Sequence, residues 1–451
     1  MRGLLPRLML IGCLWLPGVD ATPASTTTDS TMLEWPQTWI ALLQDLSLLP
    51  EQPEYGDAQL KAASKAFISL KGQLQQRSVS RELSSFDALQ SSDQLASWIR
   101  QSQPQYQAFK LLQRALQSEQ KLQNLPRPDA TLIRDLSLGQ SHPEVVLLRR
   151  LLAARLGEVL PEHLRNRAVW DPPLIDALKR YQNINGLKVT GTLTPATLGS
   201  VVASGQHRID AIQYSLRQWL QLPPSLQGDS IIVNLPHFNL LVLQDNRVKL
   251  TLPVIVGSPK TPTPRFNSKF NSITINPSWT PPYSIIKNEL LPAYQRDPKS
   301  LKRQGFELLS GSRNAPQKLP WSEVSSLKQV LKSHRLTQRP GNNNALGKAR
   351  LNLVNSNAIY LHDTPNRKLF RRANRALSHG CIRVGNIDHL LTYLSEQAPR
   401  ATRNAVQAAL QSGDPLTRRI RNKTEVYIVY MPAWPNPDGS LSIATDIYNI
   451  I

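Results

Sequence analysis

The clearest chemistry in the chain belongs to a cysteine and a histidine: Cys381, in Ser378-His379-Gly380-Cys381, and His362, nineteen positions before it. A thiolate attacks a carbonyl and a thiol does not, so a nucleophilic cysteine with an ordinary pKa of about 8.5 needs that value lowered or a base within reach. His362 closes the apolar run from Ala358 to Leu361 and is followed at once by Asp363 and Thr364. A histidine at a strand end can reach a site while a neighbouring acceptor orients its other ring nitrogen, which suits it to act as general base. Gly380 lets backbone come close to a substrate, and amides around Gly380 and Cys381 could donate to a developing oxyanion. Asn386 reads as the N-cap of a helix through Ile387, Leu390, Leu391 and Leu394, whose positive end would favour a thiolate.

The neighbours of this pair have plainer alternatives. Tyr360 shares the strand face of His362 and could donate to the oxyanion, or be an ordinary strand tyrosine. His379 could support the thiolate or only hold the loop. Arg383 falls on the face of Cys381 if the strand continues, which suits a substrate carboxylate, although a surface ion pair is the commoner fate of an arginine. The remaining histidines, His142, His163, His207, His237, His334 and His389, show no metal-ligand spacing, so neither a metal nor another cofactor is expected.

Strands must carry these residues. Alternating apolar positions begin at Ile231, Val233 and Leu235, continue through Leu240 to Leu243, turn at Asp245-Asn246 and run from Leu250 to Val256, predicting an antiparallel β region. Ile273 and Ile275 belong to a further strand, and Val426 to Tyr430, a turn at Pro437-Asp438-Gly439 and Leu441 to Ile447 close the chain. A basic insertion at about 285–339 interrupts the strands, as a lid over the site or as decoration. Ahead of the strands, Leu60, Ala63, Phe67, Leu70 and Leu74, then Tyr106, Phe109, Leu112 and Leu116, repeat at helical spacing. After a break at Pro126 and Pro128, three short helices follow from Ser141 to about Ala203, the last opening at Thr194-Pro195.

The chain has 451 residues, 53 Lys+Arg against 32 Asp+Glu, a net charge of +21 and two cysteines. That charge points to an anionic partner. No helix-turn-helix, RNA-binding or zinc-finger pattern accompanies it, so a carboxylate-rich wall polymer or an anionic membrane surface fits better than nucleic acid. The basic start, the apolar run from Leu8 to Leu16 and the small residues near Ala21 predict a secretory signal peptide. Leu10-Ile11-Gly12-Cys13 has the look of a lipobox, but Arg7 leaves too few apolar residues before Cys13. Cleavage near Ala21 leaves Cys381 as the only thiol of an exported protein. No later stretch approaches the ~18 apolar residues of a membrane span, so the mature chain is expected to have no transmembrane segment.

Here the sequence resembles known families. Ser378-His379-Gly380-Cys381 preceded by His362 is similar to the signature of the YkuD-type L,D-transpeptidases, and Ile382-Arg383 and Asn386 resemble its continuation. The likeness extends to Val256-Gly257, Thr261-Pro262-Thr263-Pro264, Asn276-Pro277-Ser278-Trp279, Tyr360 to Pro365 and Asp446-Ile447-Tyr448. The run from Leu174 to Val201 resembles peptidoglycan-binding domain 1 modules, and the whole resembles the long, capped YcbB-like members of Gram-negative bacteria.

The resemblance implies an α+β multidomain chain. Its parts are a signal peptide at 1–21, a helical scaffold region at 22–136, a three-helix peptidoglycan-binding module at 137–204, a linker helix at 205–228, and a β-rich catalytic domain at 229–451 with a capping insertion. It further implies that Cys381 attacks the carbonyl of the diaminopimelate L-centre in a donor tetrapeptide stem of peptidoglycan. D-Ala leaves, and the side-chain amine of a neighbouring diaminopimelate takes the acyl group to give a 3→3 cross-link in the periplasm. His362 would move the protons, with Asp363, Ser378, His379, Gly380 and Tyr360 in support and Arg383, Trp279 and Asn276 at the substrate. Carbapenems would acylate the same sulfur. The same site could serve an L,D-carboxypeptidase, a lipoprotein-anchoring transpeptidase or a 3→3 endopeptidase. A wall-binding protein with a decayed catalytic domain is the alternative of another class.

Overall fold

From Ile231 to Val242 apolar residues occur at nearly consecutive positions, and strands of that kind must be covered on both faces. The computed structural model describes residues 37–451 apart from 47, 51–53, 76–77, 124, 186, 203–204, 227, 246, 313–314, 420–423 and 437–439. The predicted signal peptide with Cys13, Asn246 of the first turn and the turn at Pro437-Asp438-Gly439 lie outside the described residues.

The strands are β1 (Asp229–Asn234), β2 (Asn239–Gln244), β3 (Arg247–Gly257), β4 (Phe266–Ile275), β5 (Phe306–Ser310), β6 (Gln317–Leu319), β7 (Arg335–Gln338) and β8 (Ala349–Leu353). They continue with β9 (Tyr360–His362), β10 (Ala376–Ser378), β11 (Ile382–Val384), β12 (Leu416–Arg419), β13 (Glu425–Val429), β14 (Ala433–Pro435) and β15 (Leu441–Ile443). Ten of them form one mixed sheet in the order β10-β3-β11-β9-β8-β4-β13-β1-β2, with β12 on β4. The long β3 pairs with β2 from Arg247 to Pro253, with β11 at Val254 and Ile255, and with β10 at Val256 and Gly257, so the sheet closes on itself.

Inside the closed sheet lie Ile231, Val233, Leu240, Val242, Leu351, Leu361, Ile382, Val426 and Ile428. The alternate residues Ile232, Leu241, Tyr427 and Val429 face the other way and join a second core with the helices. Those helices include Asp57–Gln75, which buries Leu60, Ala63 and Phe67, and Gln107–Gln123, which buries Phe109, Leu112 and Leu116. The segment expected as a linker contains the helix Gly205–Trp219, whose Ile209, Ile212, Leu216 and Trp219 are buried in this core. Its apolar stripe at 3-4-3 spacing makes it a packed element between helices and sheet, not a tether.

The module of Glu144–Leu156, Pro172–Ile184 and Pro195–Val202 has a core of its own around Leu148, Leu152, Leu178 and Tyr181. Thr194 Oγ1 caps the last helix by accepting from the Thr197 N–H at 3.1 Å. Glu119 ties module and scaffold together, accepting from Arg155 of the module at 3.2 Å and from Arg208 at 2.5 Å.

Between β4 and β8 the chain leaves the sheet to build a cap. Trp279 and Gln338 mark its base, exchanging backbone hydrogen bonds of 2.9 and 2.7 Å. Beyond them a small sheet, β6-β5-β7, and short helices enclose Leu301, Phe306, Leu308 and Leu336. Among the described residues no helix is long and apolar enough to cross a membrane.

Candidate active site

β9 is the centre of the site. Its parallel register with β11 sets Leu361 beside Ile382 and His362 beside Arg383. Its antiparallel register with β8 sets Tyr360 beside Asn352 and His362 beside Arg350. Paired residues share a face, so Arg350, His362 and Arg383 form a row across three strands, while Leu351, Leu361 and Ile382 turn into the core. Cys381 immediately precedes β11, and with Tyr360, His362 and Arg383 it lines a cleft of about 370 Å³ roofed by Trp279, Leu290 and Phe306 of the cap.

His362 is buried, and desolvation, helped by the charge of Arg383, pushes its pKa down to about 3. Its Nδ1–H donates to the main-chain carbonyl of Asp363 at 2.6 Å, which leaves Nε2 with the lone pair. The orienting acceptor is thus the backbone of Asp363 and not its carboxylate. That carboxylate accepts from the Lys348 N–H at 3.0 Å and faces Arg367 at 3.6 Å. Gly347 makes room for it: a Cβ at that position would stand 2.3 Å from Asp363 Oδ2.

Burial pushes the Cys381 thiol up, against hydrogen bonding from the Tyr360 N–H and hydroxyl and the charges of Arg383 and Arg350. The helix expected to favour a thiolate does begin after Asn386, as Ile387–Glu396. Two facts weaken it. β11 separates it from the sulfur by roughly 10 Å, at ~3.3 Å per residue, beyond the first-turn reach of a helix dipole. Asn386 itself is left-handed at φ 51° and its side chain makes no capping bond. The resting pair is therefore a thiol beside a neutral imidazole. Burial also raises the Tyr360 hydroxyl's pKa, keeping it a donor, and the Arg350 guanidinium lies 5.3 Å above its ring.

The turn before Cys381 is tightly held. Ser378 Oγ donates to the Cys381 carbonyl at 2.6 Å and accepts from the Gly380 N–H at 3.1 Å, while Thr263 Oγ1 donates to the Gly380 carbonyl at 2.7 Å. Gly380 sits at φ 115°, where other residues are strained. Its amide is used inside the turn, so of the two expected oxyanion donors the Cys381 N–H is the one left. His379 reaches across the cleft mouth, its Nε2 2.5 Å from Glu289 of the cap.

Asn276 is not brought to the sulfur. Its side chain donates to the carbonyls of Ala409 at 2.9 Å and Asp414 at 3.2 Å, and it lines a separate cleft with Asp363 and Arg367. Two residues of the site had escaped the sequence reading. Arg350 could have been found from its alternation with Leu351 and Leu353 in a strand that passed unrecognised. Glu289 lies in a five-residue π-helix of the cap, Ile286–Leu290, for which no sequence signal existed. Among the described residues no group of three His, Cys, Asp or Glu is placed to hold a metal ion.

Comparison with known proteins gives matches in the same two places. Residues 228–428 match the YkuD family, described as the L,D-transpeptidase catalytic domain, and residues 141–200 match a family described as "Putative peptidoglycan binding domain". A relative from Haemophilus influenzae, named "Putative L,D-transpeptidase", is 34% identical over 233 residues, 51% of this chain and 46% of the relative. The match therefore spans about half the length of that curated relative. Among solved structures, an L,D-transpeptidase from Stackebrandtia nassauensis is 15% identical, covering 58% of this chain and 90% of its own, with a TM-score of 0.22. An L,D-transpeptidase in complex with imipenem is 13% identical, covering 45% and 60%, with a TM-score of 0.20.

Proposed function

We propose that this chain, which carries a YkuD-type L,D-transpeptidase catalytic domain behind a peptidoglycan-binding module, is an exported enzyme that forms 3→3 cross-links in peptidoglycan. In this reading Cys381 Sγ attacks the carbonyl of the diaminopimelate L-centre in a donor tetrapeptide stem. A C–S bond forms, the amide bond to D-Ala breaks, and the thiol proton passes through His362 Nε2 to the departing amine. The side-chain amine of a diaminopimelate on a second stem then attacks the thioester. Its proton returns by the same imidazole to the sulfur, and the new amide is the cross-link.

The other residues of the cleft have matching parts. The Cys381 N–H and the Tyr360 hydroxyl are donors for the oxyanion, whose stabilisation is commonly the largest single contribution in acyl transfer. Arg383 faces a substrate carboxylate. The net charge of +21 holds the protein near a carboxylate-rich wall in the periplasm, and the module at 141–200 holds glycan. The observation that carries the reading is a buried neutral imidazole at the end of β9 and a thiol just ahead of the neighbouring β11, both lining one capped cleft.

The test is mass spectrometry of the mature protein incubated with disaccharide-tetrapeptide. The expected product is a dimer lighter than two monomers by one D-Ala, its new bond between two diaminopimelates, together with a thioester on the Cys381 peptide. Cys381→Ala is expected to lose turnover and keep sacculus binding. Tripeptide monomer alone would make the enzyme a carboxypeptidase. Absence of acylation with any donor would leave a wall-binding protein.

A further inference from the structure

Two charged groups of the cleft make and break no bond in that scheme, Glu289 on the cap and Arg383 on the sheet. Glu289 sits in the π-helix Ile286–Leu290, an irregularity found frequently at functional sites. Its carboxylate faces the cleft, half exposed, and touches His379 Nε2 two residues from the sulfur. On the opposite wall Arg383 is held between strands, and its buried Nε has no hydrogen-bond partner. Desolvation lowers the pKa of that guanidinium, and the charges of Cys381 and Glu289 raise it, so the carboxylate and the guanidinium feel each other across the cleft. An unsatisfied buried donor is costly until an anion meets it. The cleft therefore offers one anion and one cation, both lining it together with Cys381.

The group that satisfies both is an ammonium and a carboxylate on one carbon. On the transpeptidase reading, on which this inference rests, the donor has such a group beside the attacked carbonyl: the distal end of the diaminopimelate side chain. We propose that Glu289 receives the side-chain ammonium of the donor diaminopimelate while Arg383 takes the carboxylate on the same carbon, so that the cap selects stems with a zwitterionic side chain. The donor is favoured over the acceptor because a carboxylate stabilises the charged amine, and the acceptor amine must lose its proton to attack. An alkylammonium, charged at every pH the protein meets, replaces the imidazole of His379 as the partner of Glu289.

The experiment follows thioester formation on the full mature chain by intact mass. The donors are tetrapeptides carrying diaminopimelate, diaminopimelate acetylated on its side-chain amine, or lysine. The unaltered protein is expected to acylate with the first about tenfold faster than with the second, the equivalent of one charge-assisted hydrogen bond. Glu289→Gln keeps an oxygen for His379 and removes the charge, and it should bring that ratio close to one. The lysine donor, which keeps the ammonium, should stay sensitive to Glu289→Gln. If Glu289 only latches the cap, Glu289→Gln leaves the ratio intact and Glu289→Ala slows all three donors alike, which overturns the proposal. A loss confined to consumption of the thioester by an acceptor amine overturns the donor assignment. If the unaltered protein forms no thioester with any donor, the transpeptidase reading itself fails and this inference falls with it.

Discussion

His362 and Arg383 stand directly opposite each other in the parallel register of β9 and β11. The pairing keeps a permanent cation beside a buried imidazole, and together burial and charge hold that imidazole neutral down to about pH 3. Cys381, in the bend just before β11, lines the same cleft as the imidazole. One strand register thus keeps neutral the imidazole proposed as the base.

Removing the cation should move the base. With Arg383→Met the His362 pKa rises, since a like charge that opposed protonation is gone. The acid limb of the acylation rate, measured with a carbapenem between pH 3 and pH 7, should shift upward. An acid limb that stays in place would mean that burial alone sets the imidazole.

The Tyr360 hydroxyl acts on the sulfur from the other side. Its hydrogen bond lowers a thiol pKa that burial raises, and a phenyl ring fills the same space. Tyr360→Phe should therefore push the thiol further up and slow iodoacetamide alkylation at pH 8 by roughly three- to tenfold, with the midpoint of the rate against pH moved upward. An unmoved midpoint would assign Tyr360 to packing.

Much of this was legible in the sequence, and what was not has physical reasons. Cys381, His362, Tyr360 and Arg383 could be placed together because period-two alternation fixes faces, and faces are what a sheet presents. The helix after Asn386 is legible, but its distance from the sulfur is not, because that distance depends on how extended the three residues of β11 are. The sequence leaves the orienting acceptor open between Asp363 and the backbone near it, and the main-chain carbonyl of Asp363 is the group that His362 meets. Backbone groups carry no residue signature. The resemblance of Asn276-Pro277-Ser278-Trp279 implies that Asn276 meets substrate, but its left-handed backbone at φ 46° turns its amide toward Ala409 and Asp414. Glu289 is brought in from the cap by tertiary packing alone.

Gly347 supports the base from beneath. It is left-handed at φ 58°, and a Cβ there would lie 2.3 Å from Asp363 Oδ2; Gly413, at φ 79°, has nothing within 4 Å of its Cβ position. Gly413→Ala should cost only the backbone strain, about 1–2 kcal/mol. Gly347→Ala should cost more in urea unfolding and also slow acylation, because Asp363 must move and its carbonyl orients His362. Equal effects of the two substitutions would show that the collision is absorbed without reaching the base.

Glu119 answers two buried arginines, Arg155 and Arg208, which come from different elements. Glu119→Leu leaves both guanidiniums without their counter-charge and should cost about 3–5 kcal/mol. Replacing all three by apolar residues of similar volume should recover most of that loss, since no charge then remains to be desolvated. Urea titrations of the two variants decide it. A triple variant no more stable than Glu119→Leu would mean that the arginines contribute chiefly through other partners, such as the Val201 carbonyl that Arg155 meets at 3.0 Å.

Three desolvated groups contribute to how the fold responds to acid. Desolvation pushes His362 to about 3 and His237 to about 4, both from 6.5, and it pushes Asp45 up from 3.8 to about 6. Between about pH 6 and pH 4 the unfolded chain binds a proton on each histidine, while the folded chain binds one on Asp45. The unfolded state is ahead by one proton, so stability should fall as pH is lowered, by about 1.4 kcal/mol per unit from these groups. Asp45→Asn removes the folded-state proton and keeps an oxygen for Gln113, which donates to this side chain at 3.1 Å. The slope should then nearly double, to about 2.7 kcal/mol per unit. Urea unfolding at pH 6, 5 and 4 measures both slopes, and a slope that Asp45→Asn leaves unchanged would show that Asp45 is ionised in the folded protein.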